Sequence, residues 1–265
     1  MRRRIAALVP VAVAMLLGVG PARAGRSCEA RLPSVESIGK SMALAEHAAA
    51  ALDASGAQVV LLARIGQDLS AYRIRYSHFG FAYRDSTGPA PAWRVLHKLN
   101  QCGTANGSLY RQGLADFFLD DLHEYEAAIV VPRPEVQAGL LPVLVDNTRI
   151  AQLDTKAYSM VAYPWSQTYQ QSNQWAIETL AMTQEPAART RVLAQAWLQL
   201  RGYQPAVLRI GALQRLGGRM TAANIAFDDH PNEKRFADRI ETVTVDSVFS
   251  WLARSGLAGP VQTLR

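Results

Sequence analysis

Tyr76-Ser77-His78-Phe79-Gly80-Phe81-Ala82-Tyr83, followed after a turn-rich gap by Trp93-Arg94-Val95-Leu96-His97-Lys98-Leu99, is the stretch on which the fold turns. The first run is aromatic and alternating, the pattern of a β-strand. The second reads as its partner, and Asp85-Ser86-Thr87-Gly88-Pro89-Ala90-Pro91 between them supplies the turn. Strands paired in this way would bring His78 and His97 onto one face. Gly80, two residues after His78, leaves room for a second backbone or a ligand to approach closely.

Upstream, residues 58–65 (Gln-Val-Val-Leu-Leu-Ala-Arg-Ile) read as a buried strand. A helix over residues 34–54 precedes it, with Ser34 as N-cap and Gly56 beyond its end. Ile38, Met42, Ala45, Ala49 and Leu52 recur there at helical spacing. Downstream, the pattern predicts a short helix over 116–122, a strand over 127–131 and a helix over 134–145 with proline in its first turn. It then predicts a short strand over 158–163, helices over 172–181, 186–200 and 206–216, an irregular stretch over 228–234 and a closing helix over 246–253. Residues 66–76 and 100–108 read as loops. No repeat or long linker divides the chain, so the expectation is one α+β domain, a central antiparallel sheet packed by helices, over residues 25–265 with C-terminal helical additions.

Residues 1–24 read as a signal peptide: Met1-Arg2-Arg3-Arg4, an apolar run from Ile5 to Val19, and the small-residue cleavage signal Ala22-Arg23-Ala24. Cleavage after Ala24 would place the mature protein in the periplasm or outside the cell. The leader's four arginines account for four of the six net positive charges, leaving +2. Nucleic-acid binding therefore has no electrostatic support. No later segment is long and apolar enough to act as a transmembrane anchor. The two remaining cysteines, Cys28 and Cys102, are expected to form one disulfide in an oxidising compartment, with a free Cys102 thiol as the rival reading.

Among five histidines, His47, His123 and His230 read as surface or packing residues, and no spacing matches a metal site or a cofactor motif. His78 and His97 admit two readings: a base with its orienter, or two structural histidines bonded to backbone. Ser172 stands at a predicted helix start, where backbone N–H groups and the helix dipole favour developing negative charge. It reads either as a nucleophile or as a plain N-cap. Tyr76, Trp93 and Trp165, together with Gln174, suit a packed core or a ligand groove.

Ala63-Arg64-Ile65-Gly66, Ser77-His78-Phe79-Gly80 and His97, with Gln171-Ser172-Asn173-Gln174-Trp175 far downstream, resemble the circularly permuted, NlpC-type branch of the papain-like superfamily. Across nearly the whole mature chain the sequence also resembles an uncharacterised bacterial family, domain of unknown function 2145. The papain-like resemblance implies His78 as catalytic base, His97 as orienter and Ser172 in the place of the superfamily's cysteine. A thiol can be held as thiolate by an imidazolium, whereas serine must lose its proton during attack, so a serine version needs a neutral His78 and close geometry. Two functions follow. One is an exported amide or ester hydrolase or acyltransferase, acting on peptidoglycan peptides, other amides or lipid esters. The other is a catalytically inactive cleft-binding or accessory envelope protein. Contact between the Ser172 hydroxyl and a His78 nitrogen separates them.

Overall fold

The computed structural model describes residues 32–265; the expected signal peptide and Cys28 lie outside the described residues. The chain opens with α1 (Val35–Ala54), whose N-cap Ser34 accepts a hydrogen bond from the Ser37 N–H. Strands β1 (Val59–Ile65), β2 (His78–Asp85), β3 (Ala92–Asn100) and β4 (Gly107–Gly113) follow as an antiparallel meander. After α2 (Leu114–Phe118), β5 (Glu124–Val130) returns to pair with β1, and the C-terminal β8 (Gln262–Leu264) pairs with β5. The sheet order is β4-β3-β2-β1-β5-β8. Between β5 and β8 run α3 (Pro134–Leu144), α4 (Asn147–Ala151), α5 (Ser172–Gln184), α6 (Arg191–Leu200), a small hairpin sheet of β6 (Ala206–Arg209) and β7 (Arg239–Thr242) enclosing α7 (Ala212–Thr221) and α8 (Asn232–Arg235), and finally α9 (Val245–Arg254). The α+β class and the antiparallel sheet packed by helices are thus what the sequence pattern predicts.

Both faces of the sheet are buried, and side-chain alternation assigns each strand residue to one of them. Leu61, Ala63, Phe79, Phe81, Tyr83, Leu96 and Val130 face a core shared with α3, α5 and α9. Val60, Leu62, Ala82, Val95, Ala127 and Ile129 face a second core under α1 and α2. Each large side chain so buried contributes about 1.5–3 kcal/mol. Among the described residues, no helix is long and apolar enough to cross a membrane.

Several boundaries differ from the sequence-based expectation. β4 begins within the predicted 100–108 loop, because Gly107 fits against the Lys98 and Tyr158 side chains where any Cβ would collide. The predicted strand at 158–163 is irregular: its backbone pairs singly, Tyr158 N–H with the Ala105 carbonyl and Met160 N–H with that of Asn224. The predicted helix over 206–216 divides into β6 and α7, with Gly211 as the break.

Gly80 is closely hemmed in by β3: a Cβ there would lie 2.9 Å from His97 Cβ, the Leu96 carbonyl oxygen and Val95 Cγ1. Gly80→Ala should destabilise the protein by about 1–3 kcal/mol, whereas Gly39→Ala, on an open face of α1, should stabilise by about 0.5–1 kcal/mol. Urea unfolding of both variants checks the contrast; equal effects would contradict the packing described.

Candidate functional site

Arg64 of β1 stands directly opposite His78 of β2, so both side chains leave the sheet on the α1/α2 face. His97 shares the face of Val95 on β3 and reaches across the space that Gly80 leaves open. There His78 Nε2 and His97 Nδ1 lie 2.8 Å apart. Beyond them, His97 Nε2 lies 2.7 Å from Oε1 of Gln112 on β4. A carbonyl oxygen only accepts, so His97 carries its proton on Nε2 and offers the Nδ1 lone pair to the His78 Nε2–H. The chain of bonds leaves Nδ1 of His78 as the unprotonated nitrogen.

The surroundings keep both rings neutral. Phe117 of α2 packs against them, with ring centroids 6.0 Å from His78 and 5.3 Å from His97. The Arg64 guanidinium lies 4.6 Å from the same phenyl ring and is held by the Phe117 carbonyl and the Asp120 carboxylate. Burial, then His97 and Arg64, push the His78 pKa well below the ordinary imidazole value. Burial, then Arg64, lower that of His97 to about 3, against the opposing effect of Gln112. His97 is fully buried, and His78 keeps 8% of its surface exposed.

Ser172 belongs to the other side of the sheet. It is the first residue of α5, and the cap is Gln171, whose side chain accepts from the Asn173 N–H and donates to the Val243 carbonyl. The expected N-cap role of Ser172 is therefore taken by its neighbour. The Ser172 hydroxyl is buried and bonds the Tyr158 hydroxyl at 3.1 Å. From there α5 lays Trp175, Ile177 and Leu180 on the Phe79/Phe81 face, with Trp175 and Phe81 ring centroids 6.1 Å apart. Asn173 Oδ1 accepts from the Phe79 N–H at 3.3 Å, so the helix start does touch β2. The imidazoles, however, point away from it. Among the described residues no hydrogen bond joins Ser172 to His78, and the expected three-residue constellation is reduced to its histidine pair.

The expected binding residues do not share a cleft. Tyr76 donates to Glu126 at 3.1 Å and borders a groove of about 330 Å³ with Asp246, Phe249 and Val261. Trp93 donates to Asp53 of α1 at 2.9 Å, on the opposite face. Trp165 packs on Tyr203, and Gln174 donates to the Pro164 carbonyl at 3.1 Å. His230 is fixed at both nitrogens, by Asp229 and the Glu241 carbonyl, and His47 bonds the Arg265 carbonyl. Cys102 is not a free thiol, which removes it as a nucleophile. Its expected pairing with Cys28 lies outside the described residues. Among the described residues no group of three or more His, Cys, Asp or Glu could hold a metal.

Sequence reasoning missed Gln112 and Lys98. Gln112 lies in the unrecognised strand β4, on the pleat face of His97. Lys98, fully buried, gives its three protons to Asp154, the Thr155 carbonyl and Gln170. Gln170 continues to Glu178, which binds Arg191, so this polar chain fixes the segment leading into α5.

The neutral imidazoles make stability depend on pH. An unfolded histidine protonates near 6.5, and the native ring of His97 does so only near 3. The unfolded state thus binds more protons below 6.5, and stability is full above that value and falls as pH drops through it. Each buried ring should cost about 1.4 kcal/mol per pH unit in that range. Urea unfolding at about pH 7.5 and 5.5 should show a loss of about 1–3 kcal/mol that His78→Gln/His97→Gln abolishes. An equal loss in the double variant would locate the effect elsewhere.

No curated protein and no solved structure matches the chain. A family model described as an uncharacterized protein conserved in bacteria matches residues 51–252, a span running from the end of α1 through α9, and the chain belongs to that family, domain of unknown function 2145.

Proposed function

We propose that this is an exported binding or accessory protein of the bacterial envelope, which keeps an imidazole pair of papain-like type and lacks a working nucleophile. The observation that carries this reading is the Ser172 hydroxyl bonded to Tyr158, on the sheet face opposite the histidines. The free nitrogen of His78 is a hydrogen-bond acceptor, matched to an N–H or O–H donor on a ligand. A peptide amide of the kind found in peptidoglycan fits that chemistry, as do other amides. The permuted papain-like arrangement belongs to the same proposal. It is supported by a helix that follows the sheet in the chain and meets β2 through Asn173.

The rival is the serine-variant hydrolase or acyltransferase acting on amides or lipid esters. A fluorophosphonate probe decides between them: the binding reading expects no adduct on Ser172, and an adduct that Ser172→Ala abolishes would restore the enzyme. The same substitution has a structural signature. Ser172→Ala strands the buried Tyr158 hydroxyl and should cost about 1–3 kcal/mol, and adding Tyr158→Phe should recover much of it. Export has its own check. Protein recovered from the periplasm of an expressing cell should begin at Gly25, and a chain retained in the cytoplasm with Met1 intact would refute it.

A further inference from the structure

Helix α9 gives one face to the main core and another to a groove. Val245, Val248, Trp251 and Leu252 belong to the core. Asp246, Phe249, Ser250 and Ala253, at i, i+3, i+4 and i+7, share the second face. Small side chains at Ser250 and Ala253 leave open the groove of about 330 Å³ that Tyr76 and Val261 border from the other side. Tyr76 and Phe249 are its most deeply buried residues, with ring centroids 6.4 Å apart. A concave, mostly apolar space of this size with one polar group suits a small ligand.

That polar group is the Asp246 carboxylate. Its Oδ2 accepts from the N–H groups of Arg75 and Tyr76 at 3.2 and 3.4 Å, which ties the approach to β2 onto α9. The tether occupies one oxygen. Among the described residues no cation forms an ion pair with this carboxylate. Arg75 turns its guanidinium to Glu124 and Glu126, and Arg265 also pairs with Glu126, so those charges balance one another. Arg254 donates to the Ser250 hydroxyl, one turn beyond Asp246. Burial pushes the Asp246 pKa up, against the opposing effect of its backbone N–H bonds and of Arg75. A carboxylate drawn partly out of water without a counter-ion is incompletely compensated, and an incoming cation would supply what is missing.

We propose that this groove binds a primary ammonium on an aliphatic stem, the chemistry of a lysine side chain. The ammonium pairs with Asp246, and the stem lies against Phe249, Ala253 and Val261. Aromatic surface beside the carboxylate adds to the preference for a cation. The groove belongs to the α9 side of the sheet and the histidine pair to the other, so failure of either reading leaves the other standing.

Titration of the exported form with acetyl-lysine methylamide, followed by the amide NMR signals of Ala253 and Val261, tests the proposal. The norleucine counterpart keeps the stem and lacks the ammonium. Saturable shifts are expected with the lysine probe, and affinity about fivefold or more weaker with the norleucine probe. Asp246→Asn retains an acceptor for the Arg75 and Tyr76 N–H groups, and should weaken the lysine probe roughly tenfold while leaving norleucine affinity unchanged. Ala253→Trp fills the groove from an exposed position and should abolish binding of both probes with the unfolding midpoint unchanged. Equal affinity for the two probes, no saturable binding, or lysine binding that survives either substitution would overturn the proposal.

Discussion

The pleat of β2 constrains the site more than any other feature. Successive side chains of a strand leave on opposite faces, and both faces of this sheet are covered. Phe79, Phe81 and Tyr83 fill the core under α5, which forces His78, Gly80 and Ala82 to the side of α1 and α2. A shift by one residue would turn His78 toward α5 and expel three aromatic rings from their core. Six consecutive pairs with β1, from Val59↔Tyr83 to Arg64↔His78, hold the register. The orientation of the imidazole is therefore secured by the burial of its neighbours.

Within that constraint the site has its own order. Gln112 sets the tautomer of His97, which sets that of His78, and Gly80 allows the two rings to meet. Phe117 and burial keep the rings neutral, so the pair has directional hydrogen bonds and no charge to stabilise. On the other face, Lys98, Gln170, Glu178 and Arg191 form a buried polar chain in which each charge has a partner. Loss of one member of such a chain leaves a buried charge uncompensated, at a cost of about 3–5 kcal/mol. That chain orders the approach to α5 and so fixes Ser172 beside Tyr158.

Much of this was legible in the sequence. Aromatic alternation identified β2, the turn residues identified the hairpin, and pairing of its two strands put His78 and His97 on one face. The helix start at Ser172 was also legible. The face that α5 would cover was not, because apolar residues lie on both sides of β1, as the run Val59-Val60-Leu61-Leu62 illustrates. Short motifs name residues without the side of the sheet they occupy, and the papain-like pattern therefore suggested a contact that the pleat prevents. β4 escaped notice because Ser108, Tyr110, Arg111 and Gln112 give an edge strand the polarity of a loop. Lys98 carried no signal in the sequence, because its three partners come from residues 154–170, far along the chain.

The binding reading proposed for the histidine pair depends on a sheet whose two sides do different work. Nitrogen NMR of the imidazoles at neutral pH examines this most directly. A scalar coupling between His78 Nε2 and His97 Nδ1, with His78 Nδ1 unprotonated and its shift unchanged by Ser172→Ala, is the expected result. A His78 nitrogen that moves when the serine hydroxyl is removed, with no coupling to His97, would contradict the account.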